Sequence, residues 1–287
     1  MSTAGPAPVP PPRSGAGAVR MVAMNSDVAP DRRLYLGRLG RANHEPANRT
    51  FRFAARLAGV ILRPIARLHL SGQENLPTTG AAIIVPNHLC DLDPLVVGYF
   101  LVWGGRWPHF LARANLFTMP VLGRLLRALE QIPVERGSVS AAGSLAEAQH
   151  ELEAGKVVIV YPEGTFTYDP DEWPMAGHTG AARLALRTGA PVVPIGQWGA
   201  NFIIPPRHKR RPKLLGRSDV TVHAGARLDL ADLVARGESD RHAVHDATVR
   251  IMDAITHEVS AVRDLPAPHG RWHPGRKKRV DPAQAVL

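Results

Sequence analysis

The chain has 287 residues, 45% apolar and 21% charged, a balance that suits one globular domain of about 200–230 residues with tails. Its net charge of +10 calls for an anionic partner, and its single cysteine, Cys90, excludes an intrachain disulfide framework and agrees with a reducing compartment. A membrane-spanning helix is not expected, because the long uncharged run 188–206 is broken by Pro191, Pro194, Pro205 and Pro206.

Residues 1–20 are rich in Pro, Ala and Gly without a compact apolar stretch, so disorder rather than a signal peptide is expected, with Met21 and Met24 both open as starts. A disordered, basic segment is expected over 1–48. From Asp31 to Arg67 there are nine arginines and only two acids, Asp31 and Glu45. An amphipathic helix is expected over 49–72. At helical spacing Arg52, Arg56, Arg63 and Arg67 share one stripe, opposite Ala54, Leu57, Ile61, Ile65 and Leu68, with a kink at Pro64. Such a helix is expected to lie in a membrane interface, arginines toward phosphates and aliphatics toward acyl chains; packing on the domain's own core is the alternative.

A catalytic domain is expected over 73–263. Short apolar runs at 81–86, 109–113, 131–135, 156–161, 191–195 and 220–223 alternate with helical patterns near 94–103, 119–129, 139–154, 178–188 and 240–261. Most of the runs lack polar alternation, as strands covered on both faces do, so an α/β fold with a mainly parallel central sheet flanked by helices is predicted. Residues 264–287, Pro-rich and carrying Arg276-Lys277-Lys278-Arg279, are expected to be a basic mobile tail.

Four segments carry candidate chemistry. Pro86-Asn87-His88-Leu89-Cys90-Asp91-Leu92-Asp93-Pro94 joins a strand to a helix, the position where α/β proteins place their sites. There His88 can take a proton from a hydroxyl, and Asp93 can orient its ring; Asp93 also suits the helix N-cap before Pro94, and taken alone the pair fits a plain cap beside a loop histidine. Asp91 is a second carboxylate, ranked below Asp93. Tyr161-Pro162-Glu163-Gly164-Thr165 follows a strand and offers a turn glycine, a carboxylate and a hydroxyl. Arg136 ends the block Ile132-Pro133-Val134-Glu135-Arg136-Gly137, where a guanidinium can hold a phosphate bidentately. Val193-Pro194-Ile195-Gly196 reads as a strand end with turn chemistry.

In this order and at this spacing the four segments resemble the glycerolipid acyltransferases, the 1-acylglycerol-3-phosphate acyltransferases and their relatives of PlsC type. The resemblance covers roughly residues 65–225 and rests above all on Asn-His-x4-Asp at Asn87 to Asp93 and Pro-Glu-Gly-Thr at Pro162 to Thr165. It implies a glycerol-phosphate acyltransferase-like fold in which His88, oriented by Asp93, is the general base on an acceptor hydroxyl that attacks an acyl thioester directly, with no covalent acyl-enzyme. It further implies that Arg136 holds the acceptor phosphate and that Glu163, Gly164 and Thr165 shape the same pocket. The implied reaction moves a fatty acyl group from acyl-CoA or acyl-carrier protein to the sn-2 hydroxyl of lysophosphatidate in phospholipid biosynthesis, without cofactor or metal. The sequence departs from the family at Gly177-His178-Thr179-Gly180, where relatives carry a lysine, and at Phe166, where an arginine is more usual.

The expected partners are an anionic membrane surface, an acyl thioester donor and a lysophospholipid acceptor, with the protein peripheral or monotopic on the cytoplasmic face of the cell membrane. Nucleic acid is not expected, because no binding motif or aromatic platform accompanies the charge. Another lysophospholipid or a glycolipid is the alternative acceptor; a catalytically silent protein bound to anionic membranes is the alternative of another class. A nucleophilic Cys90 is disfavoured, since it occupies a variable position of the family motif. The basic residues Arg207, Lys209, Arg210, Arg211, Lys213 and Arg217 suit either a solvated loop or contact with anionic lipid or the phosphates of CoA.

Overall fold

The structure, a computed structural model, describes residues 39–135, 141–206, 212 and 216–287. In chain order the elements are α1 (Leu39–Ala42), α2 (Arg49–Ile65), β1 (Ala66–Ser71), β2 (Ala82–Pro86), α3 (Asp93–Trp103), β3 (Pro108–Arg113), α4 (Leu122–Ala128) and β4 (Ile132–Val134). They continue with α5 (Ala141–Glu153), β5 (Val157–Ile159), α6 (Gly180–Thr188), β6 (Val192–Trp198), α7 (Ala200–Ile203), β7 (Ser218–Ala224), α8 (Ala231–Val234), α9 (Arg241–Arg263), β8 (Arg271–His273) and β9 (Lys278–Val280). Among the described residues seven strands form one sheet in the order β1-β7-β6-β2-β5-β3-β4. Among the described residues, only the β6–β7 pairing of this sheet is antiparallel, so the five strands from β6 to β4 put their carboxyl ends on one edge.

The run of apolar residues in β2 has a direct cause. Ile84 joins a core with Leu62 of α2 and Val96 and Phe100 of α3, while Ile83 and Val85 join a second core with Leu184 of α6 and Ile251 and Ile255 of α9. Both sheet faces are covered, so neither set of alternating positions can be polar. The α/β fold read from strand–helix alternation is the fold found.

Several boundaries differ from expectation. The helix predicted over 49–72 stops at Ile65, because 66–71 is captured by β7 in parallel register from Ala66↔Ser218 to Ser71↔His223. Pro64 therefore stands in the last turn, where its missing N–H ends a helix rather than kinking one. Of the segment 1–48 expected to be disordered, 1–38 lies outside the described residues. The rest is tied down: Asn43 is buried and donates to the Val102 carbonyl, and Glu45 takes the Arg106 guanidinium and the Trp107 N–H. Val193-Pro194-Ile195-Gly196 is not a strand end, since β6 runs through it to Trp198. Pro194 stands just outside the stretch paired with β7, and Gly196 lets α9 approach, since a Cβ there would meet the Glu258 backbone at 2.4 Å.

The expected mobile tail is also corrected. Residues 271–280 form an antiparallel hairpin, β8 with β9, and Val280 and Ala285 pack on Ala176. Two of its arginines find specific acids, Arg279 with Asp169 and Arg271 with Asp253, which composition alone does not reveal.

Candidate active site

The site grows from the end of β2. Asn87 is buried and exchanges hydrogen bonds with Gln197 of β6: its Oδ1 accepts from the Gln197 N–H at 2.8 Å, and its carbonyl accepts from Gln197 Nε2 at 2.8 Å. That reciprocal lock fixes where the next residue, His88, leaves the sheet. Asp93 opens α3 with its side chain fully buried, but it does not cap the helix. Its carboxylate turns back on the loop, accepting from the Leu89 and Cys90 N–H groups, from Cys90 Sγ at 3.1 Å and from His88 Nδ1 at 2.9 Å. The expected N-cap role is thus replaced by a loop-holding one, because Leu92 precedes the first turn in helical conformation.

With an acceptor at Nδ1, the His88 ring carries its proton there and leaves the lone pair on Nε2. The ring stacks on Tyr161 with centroids 4.1 Å apart and packs nearly perpendicular to the Phe166 ring with centroids 4.5 Å apart. Its side chain keeps 15% of its surface exposed, so the ring is held but reachable.

Glu163 has a different place from the one the motif suggests. It is buried, and its two oxygens accept from the His88 N–H at 2.9 Å and the Met175 N–H at 3.0 Å. Burial pushes its carboxyl up to about 8, against the pull of those two donors. It shapes the site from behind, by gripping the His88 backbone. Thr167 completes the grip by donating its N–H to the His88 carbonyl at 2.9 Å. Gly164 adopts a left-handed φ of 68°, and a Cβ there would lie 2.8 Å from the His178 ring, so glycine is needed on both counts. Thr165 is half-buried on the same turn, and His178 is exposed beside it.

Other predicted residues fall elsewhere. Arg136 and the basic residues Arg207, Lys209, Arg210, Arg211 and Lys213 lie outside the described residues; β4 ends at Val134 on the edge that carries His88. Arg217 is described, and it donates to the Ala66 carbonyl at 3.1 and 3.2 Å. Asp91 is exposed. Cys90 is buried, and burial first and then Asp93 push its thiol far above the ordinary range, so it is a poor nucleophile. Among the described residues, His109, Glu130 and Glu151 bring potential metal ligands within 4.8 Å of one another, a grouping that no sequence spacing marks. Lys156 holds both carboxylates at 2.8 and 2.6 Å, so an ammonium already serves as the cation there. Sequence reasoning assigned no role to Gln197, Tyr161, Thr167 or Asp169. Tyr161 could have been found from its place before Pro162-Glu163; the others carry no local signal.

Residues 67–198 match the family model described as Acyltransferase. The chain is 31% identical to a chloroplastic 1-acyl-sn-glycerol-3-phosphate acyltransferase of Brassica napus, over 53% of this chain and 44% of that protein. It is 27% identical to the 1-acyl-sn-glycerol-3-phosphate acyltransferase of Bacillus subtilis, over 52% of this chain and 71% of that one. The matched region spans less than half the length of the plant relatives. In fold it is similar to the crystal structure of the 1-acyl-sn-glycerophosphate acyltransferase PlsC of Thermotoga maritima, with a TM-score of 0.55, 22% identity, and coverage of 76% of this chain and 80% of that one. With the His88–Asp93 pair on the carboxyl edge of a mainly parallel sheet, the chain carries over residues 67–198 a domain that matches the family described as Acyltransferase.

Proposed function

We propose that this protein is an O-acyltransferase that moves a fatty acyl group from an acyl thioester to the sn-2 hydroxyl of lysophosphatidate, with His88 as general base. The observation that carries this reading is the buried Asp93 carboxylate at His88 Nδ1, which leaves Nε2 as the basic nitrogen of a partly exposed ring. In the reaction, Nε2 takes the hydroxyl proton as the acceptor oxygen bonds to the thioester carbonyl carbon. The tetrahedral intermediate then expels the thiolate, the C–S bond breaks, and the imidazolium returns the proton to sulfur. Asp93 stabilises the transient imidazolium, and Glu163 and Thr167 keep the ring at its station through the backbone.

The names of the relatives support lysophosphatidate as acceptor. Arg136 is assigned to its phosphate and Thr165 to the same pocket. Acyl-CoA or acyl-carrier protein is the donor, and no cofactor or metal takes part in this reading. His178, where the family resemblance leads one to expect a lysine, favours a second acceptor reading, another lysophospholipid or a glycolipid.

A membrane surface is the natural source of such an acceptor. No helix among the described residues is long and apolar enough to cross a membrane. Yet α2 exposes Phe53, Leu57, Val60 and Ile61 beside Arg52 and Arg56, and the neighbouring Met119, Val121 and Leu125 are exposed around α4. We assign this apolar ridge to the acyl region of an anionic bilayer and the arginines to its phosphates, at the cytoplasmic face.

The test is a balance of products from labelled acyl-CoA and lysophosphatidate. The expected result is one phosphatidate per free thiol, and an Arg136→Ala variant with a raised KM for lysophosphatidate. Free fatty acid in place of phosphatidate makes the protein a hydrolase. No product with either donor across an acceptor panel sinks the reading.

A further inference from the structure

The C-terminal segment lies outside the family match, yet it reaches the loop that grips His88. The β8 carbonyl of Trp272 accepts from the Ala176 N–H at 2.8 Å, immediately after Met175, whose own N–H is on Glu163. The chain end adds two contacts at Gly177: its N–H donates to the Ala285 carbonyl, and its carbonyl accepts from the Leu287 N–H at 2.9 Å. From β9, Arg279 donates to both oxygens of Asp169, at 2.9 and 2.8 Å, and to Asp171 at 2.8 Å. The Asp169 side chain has no exposed surface, so Arg279 compensates a charge that has no water to turn to. From Asp169 the path to the site is short. Its N–H donates to Thr167 Oγ1 at 3.1 Å, and the Thr167 N–H donates to the His88 carbonyl at 2.9 Å.

We propose that the C-terminal hairpin is a clasp on the catalytic loop, with Arg279 and Asp169 as positioning residues that fix the His88 backbone through Thr167. This rests on His88 being the base. The clasp touches no substrate, so loosening it moves the base relative to a bound acceptor while leaving the binding groups in place. Its signature is therefore a loss in kcat with KM retained. An Arg→Lys change keeps the charge but loses the two-pronged contact, so it should recover part of the rate.

The experiment uses the full chain with Arg279→Ala, Arg279→Lys and, as a control, Arg250→Ala. Arg250 makes an equally two-pronged pair with Asp232, at 2.7 Å to each oxygen, about 20 Å back along α9 from its last turn. Two quantities are read: kcat and KM for acyl transfer, and amide exchange over 163–169. Arg279→Ala is expected to lower kcat roughly 10–100-fold with KM within about twofold, the size of effect that small misplacements of catalytic groups produce. Its 163–169 amides should exchange faster, Arg279→Lys should fall between, and Arg250→Ala should match the wild type in both. Wild-type kcat and exchange in Arg279→Ala overturn the clasp, as does a raised KM with kcat kept. If the Ala variant does not fold, the same two readouts on Arg279→Lys decide. If the wild type transfers no acyl group, the proposed activity fails on its own, and exchange alone then decides the clasp.

Discussion

At the scale of single residues, Glu163 has the most consequential chemistry after His88. Its carboxyl is raised from an ordinary 4.5 to about 8, chiefly by burial. Between those values the folded chain keeps a proton that the unfolded chain has released, so stability falls as pH rises. The contribution is full below about 4.5 and is lost progressively up to about 8, with a slope of at most about 1.4 kcal/mol per pH unit. Urea unfolding of wild type and Glu163→Gln between pH 5 and 8 isolates this group, because the other titrating residues are common to both. The wild type is expected to lose stability relative to the variant as pH rises; a difference independent of pH contradicts it. The motif containing Glu163 was plain in the sequence, but its inward aim was not. A carboxylate beside a turn glycine suits a polar headgroup just as well, and only the partners at His88 and Met175 distinguish the two.

At the scale of elements, α2 shows why the sequence left two readings open. Phe51, Ala55, Ala58 and Leu62 are buried against the fold, Arg52 and Arg56 line a second face, and Phe53, Leu57, Val60 and Ile61 are exposed on a third. Packing on the core and the proposed membrane contact use different faces of one helix. The two functions are therefore separable by mutation. Leu62→Ala is expected to destabilise the fold by about 2–5 kcal/mol in denaturant unfolding, as core truncations do. Val60→Glu, at a position 65% exposed, should leave the melting temperature unchanged and weaken binding to anionic vesicles in a sedimentation assay. Vesicle binding equal to the wild type removes α2 from the membrane contact. The missed boundary at Ile65 has a similar origin. Arg67 continues the arginine period of the helix, and nothing local in 66–71 announces that β7, some 150 residues later, will claim it as a strand partner.

For the whole molecule, topology gathers the chemistry. Parallel order from β6 to β4 sends the loops after β2 and β5 to one edge, so His88 and Glu163, far apart in sequence, share one site. This much was legible, because strand–helix alternation predicts parallel strands and parallel strands share an edge. The clasp was not legible: Asp169 and Arg279 are joined across 110 positions, and a basic run near a chain end looks like a tail until its acid is found. What the whole arrangement supports is a single base, held by Asp93 from one side and by the backbone grip of Glu163 and Thr167 from the other. The measurement that bears on this most directly compares wild type and His88→Ala for acyl transfer from labelled acyl-CoA to lysophosphatidate, with circular dichroism confirming that both are folded. Loss of the general base is expected to lower kcat by about 10²–10⁴-fold. A folded His88→Ala protein that transfers acyl groups at the wild-type rate contradicts it.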